Sequence, residues 1–234
     1  RLRQRLDIPG FHDDQHGTAI VVLAALKNSL KLVKKDISSV KIVMSGAAGT
    51  AVARLLVKSG AKNIVAFDKD GVINGSRNRD DEMRAWFIDH SNPMNFAGNL
   101  HEAMTGADVF IGVSAPNVLT EADIASMGEK SIVFALANPD PEIDPVIARK
   151  YAAVVATGRS DQPNQINNVL AFPGIFRGLL DAQANQITDE LLIAAANAIA
   201  DCVSASQLNA SFIVPSVFDP QVVTKVAAAV KASV

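Results

Sequence analysis

Apolar residues fill almost every position from Ala19 to Leu26, and the run continues into a lysine-bearing stretch, Lys27 to Lys35. A segment apolar on nearly every face predicts one largely buried helix over roughly residues 15–34. Beyond Ser39 the pattern changes to short apolar runs alternating with helical stretches. Strands are expected at Val40 to Met44, Asn63 to Asp68, Asp108 to Val113, Ser131 to Leu136 and Ala153 to Thr157, with a helix at Thr50 to Ser59 after a Gly/Ala turn. This order predicts an α/β fold, a doubly wound and mostly parallel Rossmann-like sheet flanked by helices. Residues 184–200 and 226–232 are alanine-rich in the manner of closely packed helices. Apolar faces over Leu191 to Val203 and Val222 to Val230 are expected to be exposed and to favour a homo-oligomer.

Composition narrows the class without changing this picture. The chain has 234 residues, 49% of them hydrophobic, enough for one large α/β domain. A net charge of -2 with both signs interspersed leaves no footprint for nucleic acid, and no apolar run is long enough to span a bilayer. The single Cys202 cannot form an internal disulfide and is expected as buried packing, and no secretory leader pattern opens the chain, so a cytoplasmic location is expected. Lys27, Lys31, Lys34 and Lys35 read as cations favoured near the negative end of the first helix.

Polar chemistry concentrates just ahead of the first helix, in His12-Asp13-Asp14-Gln15-His16-Gly17-Thr18. Helix capping would explain one aspartate, because a carboxylate there can accept otherwise unpaired backbone N–H groups. It explains two poorly and the histidines and Gln15 not at all. His12 and His16 are four apart, but the first lies outside the expected helix, which argues against a zinc pair. Oxygen ligation of a divalent cation by Asp13 and Asp14 fits better.

The turn Ser45-Gly46-Ala47-Ala48-Gly49 joins the first strand to its helix, where backbone free of side chains lets a pyrophosphate approach a helix N-terminus. Asp68 ends the next strand, 22 positions after Gly46, close to the spacing of a carboxylate that binds the ribose 2′-OH of NAD. Asp68 could also be a turn residue before Lys69-Asp70-Gly71, and Lys69 leaves room for NADP. The first glycine of the usual G-x-G-x-x-G pattern is absent. Ser114, Asn117 and Asn138 follow strand ends, where open α/β sheets bind ligands, although Asn138-Pro139 is also a common turn opener. The polar stretch Gly158 to Asn168 leaves the fifth strand at the same edge. Its amides suit an acidic substrate beside nicotinamide, and Arg159 is either a carboxylate partner or a solvated loop arginine.

Four segments together resemble the cofactor-binding domain of the malic enzymes, in particular the short bacterial form. They are Ile8-Pro9 with Phe11 to Thr18, the Gly46-Ala47-Ala48-Gly49 turn, Phe134 to Pro139, and Ala156 to Ser160 running through Asn167-Asn168 to Phe172-Pro173-Gly174. The resemblance spans residues 1–234, with 1–36 forming the leading motif and helix. It implies that Asp14 ligates Mn²⁺ or Mg²⁺ with Asp13 assisting proton transfer. Gly46, Ala47 and Ala48 would line the pyrophosphate, Asp68 the adenosine ribose and Asn138 the cofactor near the substrate, with Asn167 and Asn168 contacting malate and nicotinamide. The implied reaction is NAD-dependent oxidative decarboxylation of malate to pyruvate and CO₂. Alternatives are a malolactic enzyme, which makes lactate, and a non-catalytic dinucleotide-binding module. The glycine turn is two residues shorter than the family pattern, and Gly10 replaces a β-branched residue. The family's N-terminal domain, with its catalytic tyrosine and lysine and a Glu-Asp metal pair, is expected to lie outside this chain, since neither Tyr151 nor any lysine here matches them.

Overall fold

A computed structural model describes residues 10–46 and 49–234. Six strands form one sheet in the order β3-β2-β1-β4-β5-β6: β1 Lys41–Ser45, β2 Asn63–Asp68, β3 Gly71–Val72, β4 Val109–Gly112, β5 Ile132–Ala135 and β6 Val154–Thr157. All neighbours pair in parallel except β3, which turns back antiparallel on β2 through Phe67↔Val72 and Asp68↔Gly71. The order reverses between β1 and β4, which opens a crevice at the carboxyl ends of those strands.

Alternation along the strands divides the interior in two. Ile42, Ile64, Val109, Ile132 and Val154 face one side with α1 (Thr18–Val33), α2 (Thr50–Lys58) and the C-terminal helices. Val43, Val65, Phe110, Val133 and Val155 face the other, against α4 (Leu100–Met104), α5 (Glu121–Ala125) and α6 (Pro145–Ala148). With both faces covered, the central strands need no polar positions, so they read as continuous apolar runs. α3 (Glu82–His90) follows β3.

The first helix is enclosed as its pattern predicts: Ala19 through Leu26 are at most 1% exposed. Its regular part begins at Thr18 because a π-helical turn, Asp13–Gly17, precedes it, and it ends where Lys34 adopts a left-handed φ of 60°. The lysines do more than meet the helix dipole. Lys27 bonds the Asn197 carboxamide oxygen, and Lys35 pairs with Asp108 at 2.6 Å. Within the helix, buried Asn28 donates to the carbonyls of Ala200 and Ile213 at 3.0 and 2.9 Å, fastening α1 to the C-terminal segment.

Three helices close the fold: α7 Phe172–Ala182, α8 Asp189–Ala200 and α9 Pro220–Lys231. Gly174 and Gly178, four apart on α7, bring α9 close; a Cβ on either would lie 2.6 Å from Val226 or Val230. The expectation of exposed apolar faces on the last two helices is corrected. Leu191, Leu192 and Ile199 of α8 and Val222, Val226 and Val230 of α9 are buried, because α8 packs on α1 and α9 on α7. Val223 of α9 stays partly open, and α7 exposes the apolar side chains Phe172, Phe176 and Leu180. Cys202 is half-buried just past α8, where its thiol donates to the Ala198 carbonyl at 3.2 Å and burial raises its pKa.

Candidate active site

The π-helical turn folds the His12-to-Thr18 motif against the loop after β6. Neither aspartate caps the helix: the N-terminal positions carry no side-chain capping bond, so capping does not account for the pair. Instead Asn168 donates from Nδ2 to Asp13 Oδ2, joining the turn before α1 to the loop after β6. Gly17 permits this contact, since a Cβ there would lie 2.8 Å from Asn168 Cβ and 2.9 Å from Asp13 Oδ1. A ring cluster holds the motif in place. Phe11 sits 5.3 Å from His16 and 5.6 Å from Phe176, and Phe172 stacks obliquely on Phe176 at 4.7 Å. The backbone N–H of His12 also donates to His16 Nδ1 at 2.9 Å.

Asp13 keeps one carboxylate oxygen, Oδ1, buried without a hydrogen-bond partner among the described residues. Burial raises the Asp13 pKa, and the Asp14 charge raises it further, against the lowering effects of Asn168 and His12. A buried acceptor beside an exposed second carboxylate, Asp14, is an oxygen donor set suited to a hard divalent cation. Among the described residues no three His, Cys, Asp or Glu side chains stand close enough to complete a metal site.

A cavity of about 1060 Å³ opens at the topological switch point, with Ser45, Gly46, Asp68, Arg77, Arg84 and Ser114 on its walls. It brings together Gly46, Asp68 and Ser114, three of the residues expected to meet a dinucleotide. Gly46 has a φ of 113°, and any Cβ would lie 2.4 Å from the Val113 carbonyl oxygen, so the close crossing of β1 and β4 itself requires glycine. Ala47 and Ala48 lie outside the described residues. Asp68 is both strand end and turn residue: its Oδ1 accepts the Asp70 N–H at 2.9 Å. Arg77 and Arg84 also bond its carboxylate.

The remaining strand-end residues separate. Asn138 is exposed beside a cis peptide to Pro139 and does not line the large cavity. Asn117 borders a smaller cavity of about 320 Å³ with Asp140 and Arg159. Arg159 pairs with Asp161 two positions on, at 2.8 Å. Asn167 caps the short turn Asn168–Leu170 by accepting the Val169 N–H at 3.0 Å. Asn164, from the same loop, is buried and structural, bonding Val155, Ala210 and Ile213. Tyr151 lies at the surface, donating its hydroxyl to Glu121 at 2.9 Å.

Sequence reasoning passed over Glu142. Its side chain is fully buried beneath the cavity floor, where Oε1 accepts the Ser114 N–H at 2.9 Å and Oε2 the Ala137 N–H at 3.0 Å. It ties the end of β4 to the end of β5. An Asp-Pro-Glu turn after a strand carries no periodic signal for such a role. Arg77 and Arg84 were missed for a similar reason, standing 9 and 16 positions past Asp68 in a polar stretch.

A family model described as malic enzyme, NAD binding domain, matches residues 15–234. The chain is 50% identical over 232 residues to an NAD-dependent malic enzyme of Geobacillus stearothermophilus, covering 98% of this chain and 48% of that protein. It is 49% identical over 234 residues to a bifunctional malic/malolactic enzyme of Bacillus subtilis, covering 98% and 57%. The crystal structure of an NAD-dependent malic enzyme from Thermotoga maritima superposes with a TM-score of 0.93 at 44% identity, covering 100% of this chain and 62% of that one. The chain thus spans about half the length of the curated relatives it matches.

Proposed function

This chain belongs to the malic enzymes, spanning their NAD-binding domain, and on that premise we propose that it supplies the cofactor half of a site that oxidatively decarboxylates malate to pyruvate and CO₂. The observation that carries the reading is the Asp13–Asn168 contact, which joins the metal-type motif to the amide-rich loop and leaves a buried carboxylate oxygen beside Asp14. When bound, Mn²⁺ or Mg²⁺ supplies Lewis-acid stabilisation of negative charge on substrate oxygens, and NAD supplies the hydride acceptor.

The chain's own residues then have distinct work. Asp14, exposed at the mouth of the motif, would hold the cation together with carboxylates from outside the described residues. Asp13 would assist proton transfer, since burial and the Asp14 charge make its proton easier to retain than that of an ordinary carboxyl. Asn168, oriented by Asp13, and Asn167 would position malate against nicotinamide through amide donors and acceptors that leave local charge unchanged. Gly46, with Ala47 and Ala48, would receive the pyrophosphate, Asp68 and its arginines the adenosine ribose, and Asn138 the cofactor near the substrate. The exposed Phe172, Phe176 and Leu180 support a homo-oligomer built on α7.

The test uses the protein as its natural gene encodes it, with malate, NAD and Mn²⁺. Pyruvate, CO₂ and NADH should form in equal amounts, and Asp14→Asn should raise the Mn²⁺ concentration needed. Dinucleotide binding with no malate turnover under any metal condition would overturn the reading. A second reading, conversion of malate directly to lactate, is favoured by similarity to the relative named malic/malolactic. Lactate without net NADH would select it.

A further inference from the structure

Glu142 is a fully buried acid whose partners are all neutral. Oε1 accepts the Ser114 N–H at 2.9 Å and the Ser114 hydroxyl at 3.2 Å, and Oε2 accepts the Ala137 N–H at 3.0 Å. Gly112 makes room for it, since a Cβ there would lie 2.4 Å from Glu142 Cδ. The adjoining backbone is fastened too, with the Asn117 N–H on the Pro141 carbonyl at 3.1 Å and the Leu119 N–H on the Glu142 carbonyl at 3.0 Å. Burying a carboxylate against neutral donors costs stability, so a staple between strand ends alone accounts for it poorly.

A carboxylate only accepts, and this fixes the direction of the hydroxyls above it. Ser114 gives its proton to Glu142, and the Ser45 hydroxyl, 3.0 Å away, gives its own to Ser114 Oγ. Both serines line the large cavity, so they show it lone pairs. Backbone donors at this floor are spent as well. Gly46 N–H donates to the Phe67 carbonyl at 2.9 Å, Val113 N–H to the Ser45 carbonyl at 2.9 Å and Ser114 N–H to Glu142. The cavity's cations, Lys69, Arg77 and Arg84, stand beyond β2 among Asp68, Asp70 and Asp81. A floor that only accepts, over a buried carboxylate, disfavours phosphate oxygens and suits a group that donates, such as adjacent hydroxyls.

We propose that Glu142 is a positioning residue, holding the Ser114 and Ser45 hydroxyls as acceptors for the ribose diol on the nicotinamide side of the cofactor. This rests on the reading of the cavity as the dinucleotide site. In sheet order Asp68 ends β2, Ser45 ends β1, Ser114 follows β4 and Asn168 follows β6. With the adenosine ribose at Asp68 and the reacting ring at Asn168, the span over β1 and β4 is pyrophosphate and second ribose. Of these only the ribose brings donors. Gly46 then serves the pyrophosphate through the room it leaves, because its N–H is taken.

The experiment is calorimetry of the naturally encoded protein with ADP-ribose and with ADP, which lacks the second ribose. ADP-ribose should bind about tenfold or more tighter than ADP. Ser114→Ala should cut that ratio to less than about threefold while moving ADP itself by less than about threefold, retained ADP binding serving as its folding control. Glu142→Leu removes the acceptor that aligns Ser114 and should lower the ratio in the same way, whereas a merely structural role would weaken both ligands together and keep it. If Glu142→Leu does not fold, Glu142→Gln carries the same comparison. ADP-ribose no tighter than ADP in the unaltered protein would overturn the proposal and leave the cavity reading intact. So would equal weakening of both ligands by Ser114→Ala, which would place the adenosine ribose on the floor instead. Failure to bind ADP, ADP-ribose or NADH would remove the cavity reading itself and the proposal with it.

Discussion

Asn168 donates a hydrogen bond to the carboxylate of Asp13, 155 positions earlier in the chain, over the bare Cα of Gly17. The contact joins the turn before α1 to the loop after β6.

Gly17→Ala should break that contact. Gly17 has ordinary helical angles, φ -61° and ψ -48°, so alanine meets no backbone strain and the effect is purely steric. The added methyl would press on Asn168 Cβ and Asp13 Oδ1, neither of which is the end of a long flexible chain. A loss of about 1–3 kcal/mol is expected, read by denaturant unfolding, together with a larger fall in kcat for malate than in NADH affinity. Unchanged kcat in a stably folded variant would separate this contact from the chemistry.

Asp13 should make stability fall as pH rises. Burial and Asp14 hold its folded pKa above the ordinary carboxylate value. Its contribution is therefore full below the unfolded pKa and is lost as pH rises through the folded one. Relative to the unaltered protein, Asp13→Asn should gain in Tm between pH 4 and pH 7 in metal-free buffer. A constant Tm difference over that range would contradict the assigned shift. Added Mn²⁺ should stabilise both proteins, since the cation is assigned to Asp14.

Glu142→Gln keeps the size of the side chain but turns one acceptor into a donor. In the fully buried site that donor must face the N–H of Ser114 or of Ala137. A loss of about 2–3 kcal/mol is expected, with weaker NADH binding because Ser114 lines the large cavity proposed to take the dinucleotide. Urea unfolding and NADH titration on the same sample check both. Gly112→Ala should be harsher, since its Cβ would lie 2.4 Å from Glu142 Cδ.

Asp123 gives the opposite pH behaviour. Burial alone would raise its pKa, but the Thr120 N–H and hydroxyl and the His101 ring outweigh that and hold it down. A depressed folded pKa means stability that is present above the unfolded value and lost as pH falls through the folded one. Asp123→Asn should cost about 1–3 kcal/mol at pH 7, with the gap to the unaltered protein closing below about pH 4. Thermal unfolding across that range measures it.

Much of the framework was legible along the chain. The bounds expected for Asn63 to Asp68 match β2, and the other predicted strands shift by one residue at either or both ends, because buried parallel strands write themselves as short apolar runs between turns. β3 has only two residues, and α4, α5 and α6 have four or five, too few to express a period. The all-round apolar first helix was readable for the same reason that it is buried: neighbours cover every face.

Local sequence thus determined the elements, the placing of Asp13 and Asp14 ahead of a buried helix, and the glycine turn and Asp68 at strand ends, since each depends on residues a few positions apart. Tertiary structure alone decided which of those groups meet. It set Asn168 on Asp13, put Glu142 under Ser114, and enclosed Asp68 between two arginines. It also left Asn138 at the surface and turned Asn164 inward. Hydrogen bonding and charge act over a few ångströms in space, and the fold, not the spacing along the chain, chooses the partners found within that reach.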